Sequence, residues 1–141
     1  MRVGARVNTV VFRASRGRIG STWRVGSALR KPAPVCLLTT TGRKTGKSRT
    51  TPLLYLRRGS DFVVVASQGG RATNPAWYLN LQANPRVTIE LGRTRRHLLA
   101  RTANDDERSE LWPELVEMYA DFATYDAWTE RTIPVVICAP T

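Results

Sequence analysis

Three short apolar, β-branched runs with only turn residues between them limit the fold of this chain more than any other feature. They cover Val35–Thr40, Thr50–Arg57 and Phe62–Ser67. Gly42 and Gly46 mark the first turn between them. Parallel strands need a long crossover connection, and none follows these runs. We therefore expect an antiparallel meander.

The rest of the chain adds further strands and a few helices. The patterns predict a helix with Asn74 as its N-cap and Pro75 at its first position, which ends at Asn84-Pro85. They also predict a hairpin of Val87–Leu91 and Arg95–Thr102, an acidic helix over Asn104–Tyr119, and a last strand at Val135–Cys138. Asn104 and Glu107 have the spacing of a capping box, and Pro113 predicts a kink or a split in the acidic helix. Six strands in short hairpins with helices at the edges predict a mainly β (α+β) fold, a small β-barrel.

The N-terminal residues form a separate basic segment. With 141 residues the chain is long enough for one domain, and we divide it into a basic helix and connector, 1–31, and a barrel domain, 32–141. The spacing of Val7, Val10, Val11 and Ala14 predicts an amphipathic helix over Val3–Arg18. It either packs across an open edge of the domain or contacts a membrane surface or ligand. No run is long enough to span a membrane or act as a secretory signal, which favours a cytoplasmic protein.

Positive charge is concentrated in the first half of the chain. Residues 1–60 contain 14 basic and no acidic residues, whereas residues 104–141 contain two basic and nine acidic ones. This asymmetry indicates an anionic partner, and charge alone leaves nucleic acid, a membrane surface and a polyanionic small molecule open.

Familiar catalytic and metal-binding motifs are missing from the sequence. It contains no nucleophile elbow, Walker loop or dinucleotide-binding glycine motif. The sequence has no ligand spacing for zinc, because it contains one histidine, His97, and two cysteines, Cys36 and Cys138. Both cysteines lie in apolar runs, and we expect them to be buried and reduced. We therefore predict no metal, and in an enzyme of this sequence a cofactor must carry the chemistry.

Two motifs could bind such a cofactor. Gly42–Pro52 holds four cations, two glycines and several hydroxyls, a combination that suits phosphate or carboxylate groups and equally suits nucleic-acid phosphates or a solvated turn. The segment Ala66–Gly70 ends a strand with Ser67 and two glycines, which allow close backbone approach to a flat ring. Trp77 in the following helix either walls that pocket or belongs to the core.

Four motifs in order resemble the deazaflavin (F420)-dependent nitroreductase and quinone reductase family of actinobacteria. They are Thr39–Leu53, Val65–Gly70, Asn74–Pro85 and Met118–Pro134, and the resemblance extends over about Val35–Pro140. It implies a split β-barrel of the flavin- and deazaflavin-binding type that binds coenzyme F420. That coenzyme carries a phosphate and a polyglutamate tail, which would account for the basic half of the chain.

The resemblance also assigns site residues. Arg43, Lys44 and Arg49 would hold the phosphate and tail, and further cofactor contacts would come from Thr50, Thr51, Pro52, Ala66, Ser67, Gln68, Ala76, Trp77 and Asn80. Ser67, Tyr119 and Tyr125 would serve catalysis, and Phe122, Tyr125 and Trp128 would line the substrate pocket. Gln68 stands where better-known members have lysine, and Phe122 where they have tyrosine. The alternative for the Tyr119, Tyr125 and Trp128 group is an apolar seam between helix and barrel.

The implied activity is hydride transfer from reduced F420 to a quinone, enone or nitroaromatic acceptor. The reduced cofactor would have to come from an F420-reducing dehydrogenase. Two other interpretations stay open: a carrier that binds F420 without turnover, and a basic module for nucleic acid or membranes. The acidic final third and the ordered motifs argue against nucleic acid. Peripheral contact with an anionic membrane remains part of the prediction.

Overall fold

The computed structural model describes residues 22–23 and 33–141, which form an antiparallel sheet with three helices. The strands are β1 Thr22–Trp23, β2 Ala33–Thr41, β3 Ser48–Leu54, β4 Leu56–Arg58, β5 Asp61–Val65, β6 Arg86–Leu91, β7 Thr94–Thr102 and β8 Val135–Pro140. The helices are α1 Ala76–Ala83, α2 Asp105–Met118 and α3 Asp121–Trp128, and a 3₁₀ turn spans Gln68–Gly70.

The seven longer strands curl into an open barrel. Their order is β3-β2-β6-β7-β8-β5-β4, and every neighbouring pair is antiparallel. The two edge strands, β3 and β4, are separated in the chain by Tyr55 alone, whose N–H donates to the Pro34 carbonyl at 3.2 Å. Because consecutive residues occupy the two edges, the sheet has to curl until those edges meet.

Strand direction decides which loops share an end of the barrel. β6 is antiparallel to β2, β7 to β6, β8 to β7 and β5 to β8, so β2, β7 and β5 run in one direction. The loop after β2 and the segment after β5 therefore lie at the same end, which we call the upper end. The β6–β7 turn at Gly92-Arg93 lies at the opposite, lower end.

Apolar side chains form two main clusters on the two faces of the sheet. The barrel interior contains the side chains of Cys36, Leu38, Phe62, Val64, Ala66, Trp77, Tyr78, Leu81, Val87, Ile89, Leu98, Ala100, Val136 and Cys138. The outer face of β5 and β8 packs against α2 and α3 through Val63, Val65, Leu111, Leu115, Tyr119, Phe122, Ile133, Val135 and Ile137. This alternation along β5 and β8 fixes their register, because a shift by one residue would exchange the two faces.

Both cysteines are free and buried in the barrel interior, as predicted. Burial raises the pKa of the Cys36 thiol and raises the pKa of Cys138 to about 12. Both therefore stay protonated and behave as small apolar side chains.

The six predicted strands are present, but β1 was not predicted, and the first three do not form the expected continuous meander, because β3 and β5 are not neighbours. The run Thr50–Arg57 is two strands, β3 and β4, because the chain leaves one barrel edge at Leu54 and begins the other at Leu56. Tyr55 between them packs its ring 5.5 Å from that of Phe62. Alternating hydrophobicity continues through the break, so the pattern alone does not show it.

The helix predictions differ more. Asn104 and Glu107 form the predicted capping box at the start of α2, and the helix is not split at Pro113. The first helix begins at Ala76, with Pro75 as its N-cap instead of Asn74. α3 was not predicted, since its N-cap, Ala120, makes no side-chain capping bond. The predicted N-terminal helix, Val3–Arg18, lies outside the described residues.

No helix in the described part of the chain combines the length and apolar character needed to cross a membrane.

Candidate functional site

The loop after β2 presents a group of exposed cations at the upper end of the barrel. We call residues 42–49 the basic loop. Gly46 has φ +73°, its N–H donates to the Gly42 carbonyl at 2.8 Å, and the Gly42 N–H donates to the Lys47 carbonyl at 2.8 Å. These bonds close the turn so that Arg43, Lys44, Lys47 and Arg49 point to solvent. None of the four forms an ion pair with another described residue.

Asn80 joins the basic loop to α1. Its Oδ1 accepts from the Arg43 N–H at 3.1 Å and lies 3.5 Å from the Arg43 Nη1, while its Nδ2 donates to the Thr40 hydroxyl at 3.2 Å. Asn80 and Thr40 are both buried. The structure therefore places Asn80 beneath the loop, where it fixes the backbone of Arg43.

The predicted cofactor residues of β3 differ in exposure. Thr50 pairs with Thr39 across the sheet, with 2.8 Å between their hydroxyl oxygens. Thr50 and Thr51 are half-buried, whereas Pro52 is buried. Only the first two thus have side chains open to a ligand that follows the strand.

The segment after β5 carries Ala66 and Ser67, both buried at the upper end. The Ala66 N–H donates to the Pro134 carbonyl at 2.9 Å. Gln68 follows with φ +46°, and within residues 22–23 and 33–141 no other non-glycine has a positive φ. Its side-chain Nε2 donates to the carbonyl and hydroxyl of Thr73, at 2.9 and 3.1 Å. The Gln68 amide thus supports the loop before α1.

Trp77 and Ala76 occupy different environments on α1. Trp77 is 7% exposed and packs edge-on to Tyr78 in the barrel interior, whereas Ala76 is exposed. The structure therefore favours the core alternative for Trp77.

The predicted catalytic tyrosines lie next to each other. The hydroxyl oxygens of Tyr119 and Tyr125 are 3.1 Å apart, and the Tyr119 ring meets Phe122 edge-on at 4.9 Å. Burial, followed by the hydrogen bonds with Tyr125 and Asp121, raises the pKa of Tyr119. The Tyr119 phenol therefore stays protonated at neutral pH.

Phe122 and Trp128 face different surroundings. Phe122 is buried between helix and sheet, while Trp128 is 70% exposed with its ring 6.1 Å from that of Tyr125. Of the three predicted substrate residues, Tyr125 and Trp128 are the ones a ligand can reach directly.

Gly70 brings α3 against the Ser67 segment. A Cβ built on Gly70 would lie 3.1 Å from both the Cα and the carbonyl oxygen of Tyr125, and Gly70 itself has φ +79°. Only glycine allows this approach. The structure thus places Tyr125 against Gly70, in the turn that follows Ser67. Asn80 connects the basic loop to the helix that follows this segment.

Arg131 also belongs to this end of the barrel, and no role was predicted for it. Its guanidinium donates to the carbonyls of Ala66, Ser67 and Arg71 and to the Asn74 side chain. Arg131 is one of two basic residues after Asn104, and this isolation in an acidic region is the signal that could have identified it.

Comparison with known proteins gives a consistent result. The family model described as F420H(2)-dependent quinone reductase matches residues 4–140. The F420H(2)-dependent quinone reductase Rv1261c of Mycobacterium tuberculosis is 39% identical over 135 residues, which cover 94% of this chain and 87% of the relative. A second relative from that organism is 48% identical over 117 residues, or 83% of this chain and 98% of its own length.

Solved structures agree on the fold. A structure described as an F420-H2 dependent reductase has a TM-score of 0.69 and 40% identity, covering 74% of this chain and 93% of its own. The haem storage protein HutZ of Vibrio cholerae shares the fold alone, with a TM-score of 0.56 and 12% identity over 97% of this chain and 90% of its own. The predicted split β-barrel is confirmed.

Proposed function

The chain belongs to the F420H(2)-dependent quinone reductase family, with reduced coenzyme F420 as its cofactor, and we propose that the residues at the upper end of the barrel form its active site. The observation that carries this proposal is the basic loop, four cations without a carboxylate partner among the described residues, at the same end as Ser67 and the tyrosine pair. When bound, the coenzyme supplies a hydride from C5 of its deazaflavin ring.

The donor set of the basic loop fits the anionic part of the coenzyme. Arginine forks form bidentate bonds with phosphate and carboxylate groups, and lysine adds a point charge. Arg43, Lys44 and Arg49 would hold the phosphate and the glutamate carboxylates, with Thr50 and Thr51 along the same path. Asn80 would act through the loop, because its amide already bonds the Arg43 backbone and Thr40.

The residues after β5 would meet the ring. Ala66 and Ser67 are small and follow the buried strand β5, so their backbone would offer a flat approach, followed by Gln68 and the glycine turn. Ala76, exposed at the start of α1, would border the same space. Ser67 would donate a hydrogen bond to the acceptor oxygen that gains negative charge as the quinone is reduced.

The tyrosine pair would complete protonation of the reduced acceptor. Tyr125 is half-buried and would donate the proton and recover one from solvent. The Tyr119 phenol stays protonated and would orient the Tyr125 hydroxyl, which lies 3.1 Å from its own. Tyr125 and Trp128 offer aromatic surface to a flat quinone. Bicyclic nitroimidazoles would be weaker acceptors, since Phe122 gives no phenol donor.

Turnover distinguishes the enzyme from a carrier. Purified protein is titrated with oxidised and reduced F420, followed by fluorescence, and the reduced complex is then mixed with menadione. We expect F420 binding, rapid oxidation with menadione, and much weaker binding of FMN. Tight F420 binding without oxidation would indicate the carrier, and a stoichiometric FMN complex would contradict the assignment. Turnover in a cell would require a separate dehydrogenase that reduces F420.

The basic N-terminal segment would add peripheral contact with anionic membranes. Residues 1–31 contain eight basic and no acidic residues, and each cation near an anionic surface adds roughly 1 kcal/mol. Deleting residues 1–20 should leave F420 affinity nearly unchanged, because the basic loop lies beyond them. The deletion should reduce sedimentation with phosphatidylserine vesicles and raise KM for long-tailed quinones. Unchanged vesicle binding and quinone kinetics would contradict this contact.

A further inference from the structure

The Arg131 side chain donates hydrogen bonds to four oxygen atoms from two separate segments of the chain. It lies between α3 and β8 and is half-buried. Its Nη2 donates to the Ser67 carbonyl at 2.8 Å and the Ala66 carbonyl at 3.1 Å, its Nε to the Arg71 carbonyl at 2.8 Å, and its Nη1 to Asn74 Oδ1 at 2.7 Å. One planar side chain thus connects the end of β5 to the loop before α1.

None of these four acceptors is a carboxylate. Arg131 also takes part in no ion pair among the residues that the structure describes. A buried charge is costly unless its hydrogen bonds are made, and here neutral oxygens make them. The arrangement therefore uses the shape of the guanidinium, whose fork of donors lysine cannot reproduce.

The segment bonded by Arg131 contains backbone conformations that do not persist without support. Gln68 has φ +46°, a left-handed value that a non-glycine residue adopts at a cost of about 1–3 kcal/mol. Gly70 lies against the backbone of Tyr125 on the other side. Arg131 contacts the residue immediately before Gln68 and the residue immediately after Gly70, so it brackets the strained turn.

We propose that Arg131 is a positioning residue of the active site: by bonding the carbonyls of Ala66 and Ser67 and the loop before α1, it fixes the Ser67 hydroxyl and peptide groups against the deazaflavin ring. This inference rests on the proposed site at the upper end of the barrel. Arg131 acts through Ser67 and makes no contact with the basic loop among the described residues.

Arg131→Lys tests the inference, and Arg108→Lys is its matched control. Arg108 is also half-buried and donates to a backbone carbonyl, that of Ile133 at 2.9 Å, but it contacts Asp126 and Trp112 instead of the Ser67 segment. We expect Arg131→Lys to lower kcat for menadione by about tenfold or more, since small misplacements of reacting groups have effects of this size. The Kd for F420 should change by less than about threefold, because the basic loop stays intact. Arg108→Lys should leave kcat unchanged.

A double-mutant cycle separates positioning from general destabilisation. If Arg131 acts through Ser67, the double variant Arg131→Lys/Ser67→Ala should be about as slow as the slower single variant. If the factors by which the two single variants lower kcat multiply in the double variant, the proposal is overturned. Asn74→Ala, which removes one acceptor and keeps the arginine, should shift kcat in the same direction by a smaller factor, and it provides the same comparison if Arg131→Lys does not fold.

A measurement without turnover keeps the inference separate from the quinone assignment. The circular dichroism of bound F420 in its own absorption band reports the surroundings of the ring. We expect Arg131→Lys to change this band and Arg108→Lys to preserve it. A wild-type band in Arg131→Lys, at saturating F420, would overturn the proposal even if no quinone is reduced. If the wild type does not oxidise reduced F420 with menadione but the band changes as expected in Arg131→Lys, only the quinone assignment is contradicted.

Discussion

Lys44 and Arg49 are exposed cations whose side chains point to solvent from the basic loop. We predict that Lys44→Gln/Arg49→Gln weakens F420 binding by about 2 kcal/mol, roughly 30-fold in Kd. Two charge-assisted hydrogen bonds are lost, and each contributes less than a buried one because solvent screens the exposed charges. Fluorescence titration measures the change. Arg93→Gln/Arg96→Gln, at the lower end of the barrel, removes the same charge and should leave Kd unchanged. Equal weakening by both pairs would refute a localised anion site.

Glu107 bonds Arg101 through both of its carboxylate oxygens. The two Glu107 oxygens bind the Arg101 guanidinium at 2.7 Å each, and Oε1 accepts from the Asn104 N–H at 3.0 Å. The hydrogen bond with Arg101, then that with Asn104, lowers the pKa of Glu107 from 4.5 to about 2. A lowered folded-state pKa means that Glu107 stabilises the protein above pH 4.5 and loses this effect as the pH falls toward 2.

The pH dependence can be measured with Glu107→Gln. We predict a lower Tm than wild type at neutral pH and a difference that shrinks as the pH falls from 4.5 toward 2. Asp106→Asn in the same helical turn is the control, because Asp106 makes no such contact within the part of the chain that the structure describes. A difference independent of pH would show that the Arg101 contact does not act through charge.

Among the elements, those with a local signal could be predicted and those set by distant contacts could not. The capping box at Asn104 lies within four residues, and β5 is a continuous apolar run. α3 has no such signal, because it is held by packing of Phe122 and Tyr125 against the sheet and turn. The contacts of Arg131 span 64 and 65 residues of sequence. The isolation of Arg131 among acidic residues singles it out, but a single sequence read locally does not show which residues it bonds.

Contact between α3 and the 3₁₀ turn depends on Gly70. We predict that Gly70→Ala lowers the free energy of unfolding by about 2 kcal/mol or more, since a left-handed φ strains alanine by about 1–2 kcal/mol and the Cβ also meets the Tyr125 backbone. Gly59→Ala is the matched control, because Gly59 has φ +60° with nothing within 4 Å of its Cβ. Urea denaturation gives both values. Equal losses of unfolding free energy in the two variants would mean that α3 moves away from the added methyl group at no cost.

At the scale of the whole molecule, the acidic helix neutralises some cations of the barrel and leaves the basic loop free. Arg58 pairs with Glu110 and Glu114 of α2, and Arg101 pairs with Glu107. The basic loop forms no such pair among the described residues, so its charges remain available to attract an anion over long range.

This uneven neutralisation predicts a strong salt dependence of cofactor binding. Raising NaCl from about 0.05 M to about 0.5 M shortens the Debye length from roughly 14 Å to roughly 4 Å, which should raise the Kd for F420 by about tenfold. The Lys44→Gln/Arg49→Gln variant should show a clearly smaller slope. Parallel slopes for the two proteins would place the electrostatic attraction elsewhere.

The position of β8 in the sheet also governs how the protein forms during synthesis. β8 lies between β7 and β5, yet it follows every other strand in the chain, and its pairing of Cys138 with Phe62 spans 76 residues. While the ribosome is still making residues 103–134, β5 is paired with the short strand β4 on one edge only. Its other edge, where β8 will pair, is open. A nascent chain of this protein therefore exposes an unpaired, aggregation-prone edge until the last strand emerges, and its yield in cells should depend on chaperones that shield such edges.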